Sequence, residues 1–455
     1  MIKKAMSHCI DEVDRIYKSC GKTYELGDDG NYQAINPMTE DVAVAIKQIC
    51  DCLATHDVTT HYSNYLAQRS NIIKAELKNF EEESLKHTLT TNTGSSMIPL
   101  IEYITDGNTI YSRGNLFFPT YYNIAYTMLR GEFLLWSLSL PNHSIESFAV
   151  FTSICELVIS EINAVTTPYI QIQPTQTNSS SKKKSGPVVL QQKNNLFLIR
   201  LDLFDIFLSN FLELRDLCNP DDNNKFQQQK QSMNSAVAAL YTFRDTLVKA
   251  CITALEDVMK AVRLTQTGST SQSGSLDSSE LHPITGYILC FCKEIIEFES
   301  IYQEMLEIAV EINCPIPHLP TSTMALESFV VDGLMIRLQE RITADSSFKT
   351  TVNSDDFIAQ QQQMVALTKR HVFMLNNMDV IVVHLRGRLT GIVTPNRKEG
   401  RVSIMKNYSI AGSKGGSASG LDPGTPLEQL TSSYHSIEGR IQTELNDLCN
   451  TISTF

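Results

Sequence analysis

The sequence predicts an all-α protein, built as an elongated rod of stacked antiparallel helical bundles. Three observations predict this class. Apolar residues recur at three-four spacing, alternating strand patterns are scarce, and prolines fall between the periodic segments. With 42% apolar and 19% charged residues over 455 positions, the chain can bury substantial cores. Helix pairs joined by loops of varied length therefore account for most of the sequence.

Predicted helices follow one another along the chain. One wide apolar stripe marks residues 196–218 and consists of Phe197, Leu201, Phe204, Leu208, Phe211 and Leu212. A second marks residues 236–262, on Val237, Leu240, Phe243, Leu247, Cys251, Leu255, Val258 and Val262. The same spacing predicts helices over residues 42–53, 62–80, 121–140, 145–165, 285–310, 328–342 and 360–389. The run 380–383 is β-branched, but its flanks keep the helical stripe, so helix is predicted there too.

The domain organisation follows from changes in composition. Residues 1–40 are predicted as a short N-terminal helical segment, and residues 41–410 as a helical rod with mobile loops near 171–193 and 265–279. A flexible linker is predicted over 411–427 and a C-terminal helix over 428–455. The loops and the linker are rich in Ser, Thr, Gly and Gln, which bury too little apolar surface to offset the entropy of ordering.

No motif indicates catalysis, so a non-enzyme without cofactor or metal is predicted. The eleven cysteines form no CxxC pair, and the ten histidines are isolated. His371 and His384 share a predicted helix without a carboxylate or thiol at i+3 or i+4. The glycine-rich run 412–417 lacks the preceding strand and following helix of a phosphate loop, which favours a linker.

Charge and hydropathy bound the partners and the location. The net charge of −12 argues against a general nucleic-acid binder. No apolar region follows the N-terminal Met1-Ile2-Lys3-Lys4, and charged residues interrupt the most apolar stretch, 196–218. The predictions are therefore a cytoplasmic location, no signal peptide and no membrane-spanning helix.

One basic tract contrasts with this acidic total. Residues 369–406 carry eight basic residues against Asp379 and Glu399, giving 8 − 2 = +6, so the remainder carries −12 − 6 = −18. Such segregation permits attraction to anionic headgroups, worth about 1 kcal/mol per basic residue near the surface. An ordinary solvated face, balanced by acidic neighbours in the fold, explains the tract equally well. The candidate lipid-binding residues are Arg386, Arg388, Arg397, Lys398, Arg401 and Lys406.

Two motifs support a closer interpretation. The first, Leu281-His282-Pro283-Ile284-Thr285, follows a low-complexity loop and has good helix-start chemistry, with a proline in the first turn. The second includes Leu375-Asn376-Asn377, whose two asparagines stand in mid-helix, where their helix propensity is poor. We expect these asparagines to satisfy buried polar groups between helices. Together the motifs resemble the "HPLT" and "IFLMNN" signatures of the 70-kDa subunit family of the exocyst complex.

Weaker similarities to the same family lie upstream, so the resemblance spans roughly residues 40–410. They are the Tyr62, Tyr65, Arg69 and Leu77 pattern, the stretch 94–100, and Leu203-Phe204-Asp205-Ile206-Phe207. The resemblance implies a rod of helical bundles that acts in exocytosis by holding secretory vesicles at the plasma membrane. It also implies contacts with other exocyst subunits, with Rho-type small GTPases and with phosphoinositides such as phosphatidylinositol 4,5-bisphosphate.

The chain departs from the family pattern in its acidic charge and at both ends. The N-terminal coiled coil that the family uses for assembly is short or missing, and the family continues beyond the last helix, 434–452, into its strongest lipid-contacting region. Membrane binding would then rely on the 386–406 cluster, helped by Lys182, Lys183 and Lys184. The alternative function is a helical-rod adaptor of another trafficking or regulatory complex that binds protein partners without lipid.

Overall fold

The protein is almost entirely helical in a computed structural model. The structure describes residues 2–28, 30–56, 58–90, 103–105, 108–110, 117–140, 145–171, 186–218, 235–263, 281–314, 318–344, 357–390 and 425–454. These residues form twelve α-helices and two short antiparallel hairpins. The predicted all-α, helical-bundle class is therefore confirmed, and the β-branched run 380–383 lies inside a helix as predicted.

The helices and strands follow in a simple order. They are α1 (Ile2–Ser19), β1 (Tyr24–Leu26), β2 (Tyr32–Ala34), α2 (Glu40–Thr55), α3 (Thr60–Thr90), β3 (Tyr103–Thr105), β4 (Asn108–Ile110), α4 (Phe117–Ser139), α5 (Ile145–Gln171), α6 (Gly186–Cys218), α7 (Ser235–Arg263), α8 (Pro283–Ile295), a 3₁₀ turn (Ile296–Phe298), α9 (Glu299–Glu311), α10 (Thr323–Ala344), α11 (Phe357–Leu389) and α12 (Pro426–Thr454).

The chain divides into two compact units. The first comprises Met1–Ile172 and Asp202–Leu247, and the second comprises Gln173–Leu201 and Val248–Phe455. Two of the three boundaries between them fall inside α6 and α7. The predicted linker 411–427 lies outside the described residues except for its last three positions, of which Pro426 already begins α12.

The first unit packs α3 against α1, α4 and α5, and α2 against α4. Its segment 1–40, predicted as helical, contains α1 and then the hairpin β1–β2, with Tyr24 opposite Ala34. The turn of this hairpin needs Gly30, whose φ of +80° lies in the left-handed region that glycine adopts at low cost. Helical spacing alone did not reveal the hairpin, because its strands are only three residues long.

A buried ion pair stands at the centre of the first unit. The Arg69 side chain on α3 and the Glu132 side chain on α4 are both 0% exposed, and Arg69 Nε donates to Glu132 Oε2 at 2.9 Å. Arg69 Nη1 also donates to the carbonyl oxygens of Cys20 and Gly21, and the Thr23 hydroxyl donates to Glu132 at 3.0 Å. These bonds satisfy both charges and tie the hairpin segment to α3 and α4.

The second unit packs α8, α10, α11 and α12 against one another. Its core includes Phe291, Leu334, Phe373, Ile381 and Leu385, which are at most 2% exposed. The structure corrects two predicted boundaries in the sequence, the first of them in this unit. The predicted helix 285–310 is broken by the 3₁₀ turn between α8 and α9, and this tighter winding allows Ile295 and Ile296 both to be buried.

The second correction concerns the predicted loop at 171–193. Its last eight residues belong to α6, which begins at Gly186. Pro187 suits a first helical turn, and Leu190 is buried, so packing extends the helix into a stretch of loop-like composition. Residues 172–185 of the predicted loop, and all of the loop at 265–279, lie outside the described residues.

Helix α5 is long and apolar enough to cross a membrane, since Glu146–Gln171 has a mean hydropathy of 1.6 in its most apolar window. Half of that window is buried within the protein. Phe151, Ile154 and Val158 are 0% exposed, and α5 packs on α3 and α4. This burial is typical of the core helix of a bundle.

Candidate functional site

The two motifs that carry the family resemblance contact each other through Asn377. The Asn377 Oδ1 atom on α11 accepts hydrogen bonds from the His282 backbone N–H at 3.0 Å and from the Thr285 hydroxyl at 2.7 Å. Its amide nitrogen donates to the Phe373 carbonyl oxygen at 2.8 Å. Asn377 and Thr285 are both 0% exposed. Although asparagine has poor helix propensity, Asn377 supplies the hydrogen-bond acceptor for two donor groups at the start of α8.

His282 caps α8 at the same junction. Its side chain accepts from the Ile284 N–H, and Pro283 occupies the first helical turn. The imidazole faces the Phe373 ring at a centroid distance of 6.1 Å. Burial, with a smaller contribution from the charge of Arg341, lowers the pKa of His282 to about 4. The folded protein therefore holds this histidine neutral.

This pKa predicts an acid-sensitive stability. Below an ordinary pKa of about 6.5 the unfolded chain takes up a proton that folded His282 accepts only near pH 4, so unfolding becomes easier through that window. We expect wild type to lose about 2 kcal/mol more than His282→Asn between about pH 7 and pH 4.5. Asn keeps the capping acceptor and does not titrate. Urea unfolding followed by circular dichroism measures the difference, and equal losses in both proteins would contradict this role.

The remaining motif residues have less central positions. Leu375 and Asn376 are half-buried on α11, and Pro283 is exposed at the start of α8. Of the motif residues, the structure therefore joins His282, Thr285 and Asn377 directly.

Two residues of the predicted basic cluster, Arg386 and Arg388, are among the described residues, and Arg386 is exposed. Its guanidinium donates to the Tyr434 hydroxyl at 3.2 and 3.3 Å and lies 3.9 Å from a Glu438 carboxylate oxygen. Tyr434 in turn donates to Glu438 at 3.0 Å. Arg386 thus contributes to the contact between α11 and α12, while 59% of its side chain stays open to solvent.

Arg388, the second candidate lipid contact among the described residues, has a different environment. Its side chain is only 8% exposed, and its Nε donates at 3.3 Å to Oε2 of Glu327, which is fully buried. The other oxygen of Glu327 lies 2.6 Å from His384 Nε2. Arg386 and Arg388 therefore do not share one exposed face. The other predicted lipid contacts, Arg397, Lys398, Arg401 and Lys406, lie outside the described residues.

Helix α12 packs on α10 and α11 and makes several polar contacts with them. Ser433 shares a 2.6 Å hydrogen bond with Ser328 and donates to Asp332 at 3.1 Å. Further along, Glu444 lies 2.6 Å from His371 Nδ1. An open cavity of about 770 Å³ lies beside this contact, between the segment before α10, α10 itself and the start of α12. None of the sequence-predicted site residues is among the described residues that line it.

Sequence reasoning missed the buried partners of the predicted residues. Glu327, Glu132 and Cys292 are 0% exposed and lie near charged or titratable side chains that are distant in sequence. Glu327 had one local signal, since it stands near the start of α10 among the apolar residues Ala325, Leu326 and Val330, where an acidic residue requires a partner.

No protein-family model matches the chain, and no curated protein matches it either.

Proposed function

We propose that the chain is a non-catalytic helical subunit of an exocyst-type tethering complex, which links secretory vesicles to the plasma membrane. The observation that carries the proposal is the contact between residues 281–285 and Asn377, which makes the two resembling motifs one structural unit. The two motifs are more than 90 positions apart in sequence, but each supplies the hydrogen-bond partners of the other's buried polar groups. This dependence explains why both occur in the same chain.

The use of the polar residues supports a scaffold. His282, Thr285, Asn377 and Arg388 each make a hydrogen bond to another helix of the second unit. Such bonds hold helices in register and present their outer faces to partners, which is the work of a bundle in a large assembly. The proposed partners are other exocyst subunits and a Rho-type small GTPase, at a cytoplasmic site peripheral to the plasma membrane or vesicles.

Co-purification tests membership of the complex directly. A tagged full-length chain, expressed in its own cells and purified under mild salt, should bring down several named exocyst subunits in reproducible ratios. An unrelated helical protein carrying the same tag is the control. Recovery of the chain without any of these subunits would contradict the proposal.

Phosphoinositide binding is the second part of the proposal, and its variants follow from the structure. Arg386, Arg397, Lys398 and Arg401 should be reversed to Glu together, whereas Arg388 should be kept because its removal would leave Glu327 buried without its cation. Arg15, whose side chain is 70% exposed, provides the matched control Arg15→Glu. Co-sedimentation with vesicles containing phosphatidylinositol 4,5-bisphosphate should weaken in the quadruple variant and stay unchanged in the control. Binding that survives the quadruple change would refute this lipid site.

The second candidate function is an adaptor that binds protein partners without lipid. The burial of Arg388 and the contact of Arg386 with Tyr434 and Glu438 favour it, because both arginines contribute to internal contacts. An adaptor would co-purify with subunits of another complex and would show equal sedimentation with and without the phosphoinositide.

A further inference from the structure

Three potential metal ligands meet inside the second unit. Cys292 on α8, Glu327 on α10 and His384 on α11 are all buried, and a sulfur, a carboxylate oxygen and a ring nitrogen from them lie within 4.8 Å of one another. Each residue comes from a different helix. Sequence spacing could not reveal the group, because 35 residues separate Cys292 from Glu327 and 57 separate Glu327 from His384.

The His384 ring is held on one side only. Its Nε2 lies 2.6 Å from Glu327 Oε1, whereas its Nδ1 is buried without a hydrogen-bond partner. Buried polar atoms in folded proteins are usually paired, so an unpaired ring nitrogen requires an explanation. Because the ring has no second hydrogen bond, the imidazole can shift toward an ion without breaking one.

We propose that Cys292, Glu327 and His384 form a binding site for one transition-metal ion, with Zn²⁺ as the best fit. Thiolate, imidazole and carboxylate are the donors that zinc takes in proteins, whereas Mg²⁺ and Ca²⁺ prefer sites made of oxygen alone. Ligand bonds of about 2.0–2.3 Å place the donor atoms roughly 3–4 Å apart, so side-chain shifts of about 1 Å form the site.

The proton and the charges can be followed through metal binding. The Cys292 sulfur is fully buried, and without an ion burial favours the uncharged thiol. When Zn²⁺ binds, the sulfur–metal bond forms and the thiol proton leaves to solvent. The thiolate and the Glu327 carboxylate then offset the two charges of the ion, and the Arg388 guanidinium leaves the cluster with one net positive charge. Arg388 stays on the second oxygen of Glu327 and orients it from outside the coordination sphere.

An ion at this position joins α8, α10 and α11. Because the three side chains are buried, the ion enters as the unit folds, and its binding contributes to folding stability. His384 lies two helical turns beyond Asn377 on α11. The metal would therefore link α8 and α11, the two helices that the Asn377 junction joins, and would add α10 to them.

Refolding with and without metal tests the site. The full chain is unfolded in denaturant with a chelator and a thiol reductant, then refolded with Zn²⁺, with Co²⁺, or with the chelator alone. After gel filtration we expect roughly one zinc per chain by elemental analysis, a higher unfolding midpoint than with chelator, and a thiolate-to-cobalt charge-transfer band in the Co²⁺ sample.

The variants decide whether the ion occupies this site. Cys292→Ser should abolish the cobalt band and the zinc-dependent shift, and His384→Gln should weaken both. Cys290→Ser is the matched control, because Cys290 is exposed two residues away on α8 and should leave everything unchanged. If one of the two ligand variants does not refold, the other variant, compared with Cys290→Ser, still decides. A wild-type spectrum without a thiolate band, equal midpoints with and without zinc, or zinc retained in Cys292→Ser would each overturn the proposal.

Discussion

Replacing Glu132 by Ala should cost about 3–5 kcal/mol of unfolding free energy, the largest loss that we expect from a single substitution. The change leaves the Arg69 guanidinium fully buried, and its remaining partners among the described residues are the Cys20 and Gly21 carbonyl oxygens. Neutral acceptors do not compensate a buried cation, and water cannot reach it without opening the unit. The Thr23 hydroxyl also loses its acceptor on Glu132.

The measurement can be confined to the first unit. The chain has one tryptophan, Trp136, which lies one helical turn after Glu132 on α4 and is 6% exposed. Its ring stacks on Phe151 and its indole N–H donates to the Ser147 carbonyl oxygen at 2.9 Å. Trp136 fluorescence during urea unfolding therefore reports the unit that holds the ion pair.

A double variant separates the pair from the packing around it. Arg69→Met with Glu132→Leu removes both charges and keeps apolar volume, so we expect it to recover most of the stability that Glu132→Ala loses. The exposed pair of Arg15 and Glu12 is the control, and Glu12→Ala should leave the fluorescence transition in place. If Glu132→Ala unfolds at the wild-type urea concentration, the pair does not hold this unit together.

Gly131→Ala should destabilise the same unit by about 3 kcal/mol, the upper end of the range for overpacking. A methyl group at Gly131 on α4 would overlap the backbone carbonyl of Thr23. A backbone atom cannot avoid the overlap by a rotamer change, as a side chain can. The Thr23 side chain is also held by its hydrogen bond to Glu132. The hairpin segment must therefore move away from α4 to admit one carbon atom.

Gly21→Ala is the matched control for this prediction. Gly21 belongs to the same segment, and a methyl group added there would have no neighbouring atom within 4 Å. The same Trp136 signal follows its unfolding. We expect Gly21→Ala to change the unfolding free energy by no more than about 0.5 kcal/mol. Equal stability of the two variants would show that α4 and the hairpin do not approach closely in solution.

The helical class could be predicted because its signal is local. Three-four spacing of apolar residues depends only on neighbours within a few turns, and the long helices α6, α7 and α11 follow it. The boundaries were harder to predict. Packing around Leu190 extends α6 into a loop-like sequence, and the 3₁₀ turn at Ile296–Phe298 interrupts a stripe that looks continuous.

The sequence by itself determined the helical class and marked Asn377 as a residue that needs a partner, because poor helix propensity and apolar neighbours are both visible in one dimension. Only the tertiary structure decided what each polar residue contacts. It placed Asn377 at the start of α8, turned Arg388 inward to Glu327, and brought Cys292 beside His384. The physical reason is distance along the chain: the residues of these pairs are 61 or more positions apart, and helix packing alone selects them.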